Sequence, residues 1–139
     1  MNPQKDILIV EDEMPIRVAI CYQLRELGNL IQARNYADAF RQIVGLPQSE
    51  IALAVVDIRI GDPNGLQVIE YLQAQPYGCN TAIIVLTIFN DMATIKKVKE
   101  FPSVKYLINK PWNSATLIKA AAECLQGHAG GFSHLGPFS

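Results

Sequence analysis

Ile51-Ala52-Leu53-Ala54-Val55-Val56-Asp57-Ile58 decides the fold of this chain. An unbroken apolar run rich in β-branched residues, without polar alternation, is the pattern of a strand buried on both faces, as in a parallel sheet covered by helices. Asp57 interrupts that run near its end. Three other apolar runs also lead into a polar group: residues 7–10 into Glu11 and Asp12, residues 82–86 into Thr87, and residues 104–108 toward Lys110. In an open parallel sheet the ligand crevice lies outside the carboxyl ends of the strands, so Asp12, Asp57, Thr87 and Lys110 are expected to converge. Two carboxylates, a hydroxyl and an ammonium around one centre suit a divalent cation beside a phosphorylatable aspartate. They supply hard oxygen ligands for Mg²⁺, one nucleophilic carboxylate and two donors for phosphoryl oxygens.

Helical spacing fills the gaps between the runs. Pro15 suits a first helical turn, and Ile16, Ala19, Ile20, Leu24 and Leu27 recur at helical intervals before Gly28, which reads as a stop. A weaker strand is expected at 30–33, then a helix at 37–44 with Ala39, Phe40, Ile43 and Val44 on its inner face, ended by Pro47. The turn through Gly61, Asp62, Pro63, Asn64 and Gly65 leads to a helix carrying Leu66, Ile69 and Leu72. Asn90 or Asp91 can cap a fourth helix reaching about residue 100, and a fifth is expected at 114–125. Strands alternating with helices predict an α/β fold: a three-layer α/β/α sandwich, doubly wound around a five-stranded parallel sheet.

A chain of 139 residues with 50% hydrophobic content can bury one sizeable core. Its net charge of −1 argues against charge-driven nucleic-acid binding, and Lys96, Lys97 and Lys99 read as a solvated helix face. No apolar run approaches the roughly 18 residues of a membrane span, and residues 1–6 lack the apolar stretch of a signal peptide, so a cytoplasmic location is expected. Cys21, Cys79 and Cys124 have no metal-type spacing and read as reduced thiols. From residue 127 onward Gly, Ser, His and scattered apolar residues show no periodicity. Residues 127–139 are therefore expected to be a tail or the start of a linker, with Phe132, Leu135 and Phe138 leaving a packed extension open and His128 and His134 too loosely set for a metal site.

Ile7-Leu-Ile-Val-Glu-Asp-Glu13, Val56-Asp57-Ile58-Arg59 with Gly65 eight residues past the aspartate, Val85-Leu86-Thr87 and Tyr106-Leu-Ile-Asn-Lys110-Pro111 together resemble the receiver domain of two-component response regulators. The likeness covers residues from about 5 to 126, four motifs in order carry it, and the receiver domain is expected to span residues 1–126. It implies the flavodoxin-like sheet order 2-1-3-4-5. It also implies that Asp57 is the phosphoacceptor, taking a phosphoryl group from a sensor histidine kinase or phosphotransfer protein. Asp12, Glu11 through water, Asp57 and the Arg59 backbone carbonyl would hold Mg²⁺. Lys110 would stabilise charge on the phosphoryl group after a cis Lys110–Pro111 bond turns it inward, Thr87 would donate to a phosphoryl oxygen, and Tyr106 would be the switch aromatic. The output would be a change in the face built from helix four, strand five and helix five, through which a homodimer could form. The chain would be either a stand-alone regulator or a receiver cut from a longer protein, the tail composition favouring a linker to an output domain.

The chain departs from the family at three places. Gly61 replaces the usual Pro four past the aspartate, Pro102-Ser103 replace the Gly-Ala that ends helix four, and Ile88 follows Thr87 where a small residue is usual. A β-branched side chain there would narrow access to Asp57. Two rivals are weighed against the switch. A phosphohydrolase of the haloacid-dehalogenase type needs a second Asp where Arg59 stands, and a phosphorylation-independent docking module would not need the retained Asp57, Thr87, Lys110 and acidic pair.

Overall fold

The computed structural model describes residues 5–45, 51–59, 64–76, 80–88 and 92–127, and the backbone of 133–135. Elements alternate as β1 (Asp6–Val10), α1 (Met14–Leu24), β2 (Asn29–Ala33), α2 (Tyr36–Val44), β3 (Ile51–Asp57), α3 (Asn64–Ala74), β4 (Ala82–Thr87), α4 (Met92–Lys99), β5 (Val104–Asn109), α5 (Ser114–Leu125) and β6 (Ser133–Leu135). The strands form one sheet in the order β2-β1-β3-β4-β5-β6, with every pairing parallel. The expected order 2-1-3-4-5 is present. β6 is an addition at the β5 edge, in a segment expected to be a tail or the start of a linker with a packed extension left open; a strand of three residues is too short to leave a period in the sequence.

Side chains alternate across the sheet, which divides the core in two. Leu8, Val10, Ala54, Val56, Ile83 and Val85 pack beneath α2, α3 and α4. Ile7, Ile9, Leu53, Val55, Ile84 and Leu86 pack beneath α1 and α5, which contribute Ile20, Leu24, Leu117 and Ala121. The near-continuous apolar strands are thus explained by helices on both faces.

Local signals set the helix starts. Proline occupies the first turn of α1. The Asn35 side chain accepts from the Asp38 N–H at 2.7 Å to cap α2, and Asn113 accepts from the Ala115 N–H at 2.8 Å to cap α5. α4 closes at Lys99 ahead of Pro102, and the Lys110–Pro111 bond is cis. Val44, expected on the inner face of α2, is exposed at the last turn, whereas Ala39 and Ile43 are buried. The Gly61–Pro63 turn, the Asn90 or Asp91 cap, Pro47, Cys79, His128, Phe132 and Phe138 lie outside the described residues. Cys21 and Cys124 are free thiols, and burial pushes both up, Cys124 to about 12. No described helix is long and apolar enough to cross a membrane.

Candidate functional site

Register brings the polar strand ends level. Val10 pairs with Val56, Asp57 with Leu86, and Thr87 with Asn109. The order of the strands reverses between β1 and β3, so Glu11 and Asp12 leave β1 beside Asp57 at the end of β3, where a doubly wound sheet opens its crevice. Hydrogen bonds beyond the strand ends hold these segments: Glu11 N–H donates to Ala33 at 3.1 Å, Ile58 N–H to Leu86 at 2.9 Å, and Lys110 N–H to the Thr87 carbonyl at 2.8 Å. That last bond ties the lysine backbone to the end of β4.

Glu11, Asp12 and Asp57 each offer a carboxylate oxygen, all within 4.8 Å of one another. Two cations divide them. Lys110 Nζ lies 2.6 Å from Asp57 Oδ1 and 3.3 Å from Glu11 Oε1. The Arg59 guanidinium pairs through Nη2 with Asp12 Oδ2, and its Nε lies 3.8 Å from Asp57 Oδ2. Burial, reinforced by the Asp57 charge, raises Glu11 above the ordinary carboxylate range. Burial acts on Asp12 in the same sense, but the Arg59 hydrogen bond and charge outweigh it and hold that carboxyl low. For Lys110, burial disfavours the ammonium, yet Asp57 and Glu11 more than offset it and the group stays charged. Close carboxylates with hard oxygen donors fit a Mg²⁺ ion, which would take Asp12 and Asp57.

The remaining expected residues lie at the end of β4, just beyond it, and on β5. Thr87 is buried at the end of β4, and its hydroxyl donates to the Ile88 carbonyl at a loose 3.4 Å. Tyr106 is buried in β5 and donates to the Glu123 carboxylate of α5; burial first, then Glu123, pushes its phenol well up. Ile88 is 50% exposed and walls a cleft of about 190 Å³ together with Asp57, Arg59 and Lys110. On its other side it borders an apolar groove of about 520 Å³ that includes Pro15, Ile16, Pro111 and Trp112.

Three contributors were not expected. The Arg59 side chain, and not only its backbone, reaches the acidic cluster; a long cation two residues past a strand-end Asp was the available signal. Tyr36 donates its hydroxyl to the Asp57 carbonyl at 2.8 Å, a contact between α2 and β3 that no sequence spacing announces. Arg17 is buried and donates to the Glu11 carbonyl at 3.1 Å and to Gln32 Oε1 at 3.1 Å. Its place on the stripe Arg17, Ile20, Leu24 was readable from helical spacing. Gly65 closes the site from α3: a Cβ there would stand 2.6 Å from Ile58 Cδ1 and 3.1 Å from the Tyr36 hydroxyl.

The chain is similar to known proteins. A relative from Sinorhizobium medicae, the acid tolerance regulatory protein ActR, is 30% identical over 125 residues, covering 86% of this chain and 59% of its own length. The chain thus spans about three fifths of that relative. Among solved structures, the signal receiver domain of an HD domain-containing protein from Pseudomonas fluorescens Pf-5 superposes with a TM-score of 0.78 at 20% identity, over 92% of this chain and 91% of that one. The chemotaxis response regulator CheY4 of Vibrio cholerae gives 0.73 at 20% identity, over 88% and 99%. These likenesses show the fold. The family model for the response regulator receiver domain matches residues 7–122, and on that match the chain belongs to the response regulator receiver domain family of two-component systems.

Proposed function

We propose that the chain is a phosphorylation-activated signalling switch with Asp57 as its phosphoacceptor. The setting of that one carboxylate carries the reading: Oδ1 lies 2.6 Å from Lys110 Nζ, Glu11 and Asp12 stand beside it, and a cleft opens in front of it. A carboxylate oxygen attacks the phosphorus of a phosphohistidine on a sensor histidine kinase or phosphotransfer protein. The P–N bond breaks, its electron pair stays on the imidazole, which is protonated, and Asp57 becomes an acyl phosphate. Lys110 is a fixed positive charge for the phosphoryl oxygens. Asp12, Asp57 and the Arg59 backbone carbonyl, with Glu11 through water, would hold Mg²⁺, which would supply charge neutralisation between the carboxylates and the incoming phosphoryl group. The chain thereby assists its own phosphotransfer and acts on no separate substrate.

The phosphoryl group adds nearly two negative charges and three acceptors. Thr87, held only by its loose bond to Ile88, turns its hydroxyl to one of them, and Tyr106 leaves or tightens its contact with Glu123 in response. The change is delivered to the face of α4, β5 and α5. β6 runs beside β5 with Ser133 opposite Tyr106, so a homodimer through this face includes or displaces β6. In this reading residues 1–126 are the receiver, residues 127–139 are a tail or the start of a linker of which residues 133–135 pair with β5, and the domain works in the cytoplasm without contacting nucleic acid or membrane.

Incubation with acetyl phosphate and Mg²⁺ tests the assignment. Intact-mass measurement is expected to show one acid-stable, base-labile phosphoryl group on the wild type and none on Asp57→Asn. Equal labelling of the two overturns it.

A further inference from the structure

We infer that the Arg59 side chain is an internal counter-ion of the acidic pocket that competes with the divalent cation, so that the chain sets its own threshold for metal loading. This rests on the proposed metal-dependent site at Asp57. The two cations use different oxygens. Lys110 takes Asp57 Oδ1 and Glu11 Oε1, while Arg59 pairs with Asp12 Oδ2 and faces Asp57 Oδ2. A hard divalent ion bridging Asp12 and Asp57 needs those oxygens at about 2.0–2.1 Å and meets the guanidinium as a like charge in the same space. One occupant excludes the other.

Exchange is feasible because the pair lies at the surface: the Arg59 side chain is 46% exposed and that of Asp12 36%. Half-exposed ion pairs are weak and are given up readily. A resting place stands next to it. The guanidinium carbon is 6.0 Å from the centroid of the Tyr36 ring, and that ring is fixed by its hydroxyl bond to the Asp57 carbonyl. Swinging onto the ring keeps Arg59 partnered after the metal enters. Lys110 has no such freedom, since its side chain is 18% exposed and its backbone is tied to Thr87.

Calorimetric titration of the whole chain with Mg²⁺ tests this without reference to phosphorylation. Arg59→Met keeps the length and the backbone carbonyl but removes the charge, and it is expected to bind Mg²⁺ about twofold to fivefold more tightly, as loss of a half-exposed competing pair implies. Arg59→Lys, which keeps the charge, is expected to stay near the wild type. Equal or weaker binding by Arg59→Met overturns the competition. Asp12→Asn separates the two readings: Mg²⁺ binding that is present in the wild type and lost in this variant upholds the metal site whatever Arg59 does, whereas no binding in any variant overturns both.

Discussion

Ile88 shows how one side chain is assigned by its surroundings. An isoleucine after a buried strand has two readings, a core residue or a gate, and they make opposite demands on stability. At 50% exposure, between the Asp57 cleft and the groove along α1, Ile88 buries too little to be a core residue. In the proposed switch its stiff χ1 would narrow the path both to phosphodonors and to the water that hydrolyses an acyl phosphate. Ile88→Ala is therefore expected to raise phosphorylation by acetyl phosphate and the rate of dephosphorylation by about tenfold, equivalent to about 1.4 kcal/mol of transition-state access. Its unfolding free energy is expected to change by no more than about 0.5 kcal/mol, as for other surface positions. Unchanged rates in quench-flow and phosphate-release assays contradict a gating role.

Elements are joined at a few points where the backbone allows no slack, and Gly28 is one. Its sequence position after an amphipathic stretch suggests that it stops α1, but α1 ends at Leu24 and the chain passes through a turn before β2 begins at Asn29. Gly28 is needed for a different reason. A Cβ there would stand 2.4 Å from the Lys5 carbonyl oxygen, the same oxygen that accepts from the Asn29 N–H at 2.7 Å as β2 joins β1. Gly28→Ala pushes a methyl group into backbone and not into a flexible side chain, so a loss of about 1–3 kcal/mol is expected from overpacking. Urea unfolding measures it, and a variant as stable as the wild type shows that β2 can shift. The helix caps behave otherwise: Asn35 and Asn113 act within three residues, so the signal for them is local even though only Asn90 or Asp91 is expected as a cap from the sequence.

Across the whole molecule, the charges at the strand ends make stability depend on pH. Glu11 is raised above its ordinary 4.5 by burial and by Asp57, so the folded chain keeps a proton that the unfolded chain has already lost. By linkage, that group's contribution falls as pH rises from 4.5 through the folded value. Asp12 is shifted the other way by Arg59, against the effect of burial, and its contribution is lost only as pH falls below 3.8. Lys110 is raised above 10.5, Asp57 and Glu11 outweighing burial, and stays charged throughout the acid and neutral range. Metal-free Glu11→Gln is expected to gain stability relative to the wild type between pH 4.5 and neutrality, the gain growing with pH. Urea denaturation in a chelator measures it; a difference independent of pH contradicts the assignment. The residues themselves determined five strands and five helices, the parallel α/β class and the convergence of Asp12, Asp57 and Lys110, because burial on two faces and the geometry of a doubly wound sheet act through local composition and order. Tertiary structure alone decided that Arg59 turns onto Asp12, that Tyr36 pins Asp57 and that residues 133–135 add a strand to β5. Those outcomes depend on which side chains meet across separate elements, and a period along the chain carries no record of such meetings.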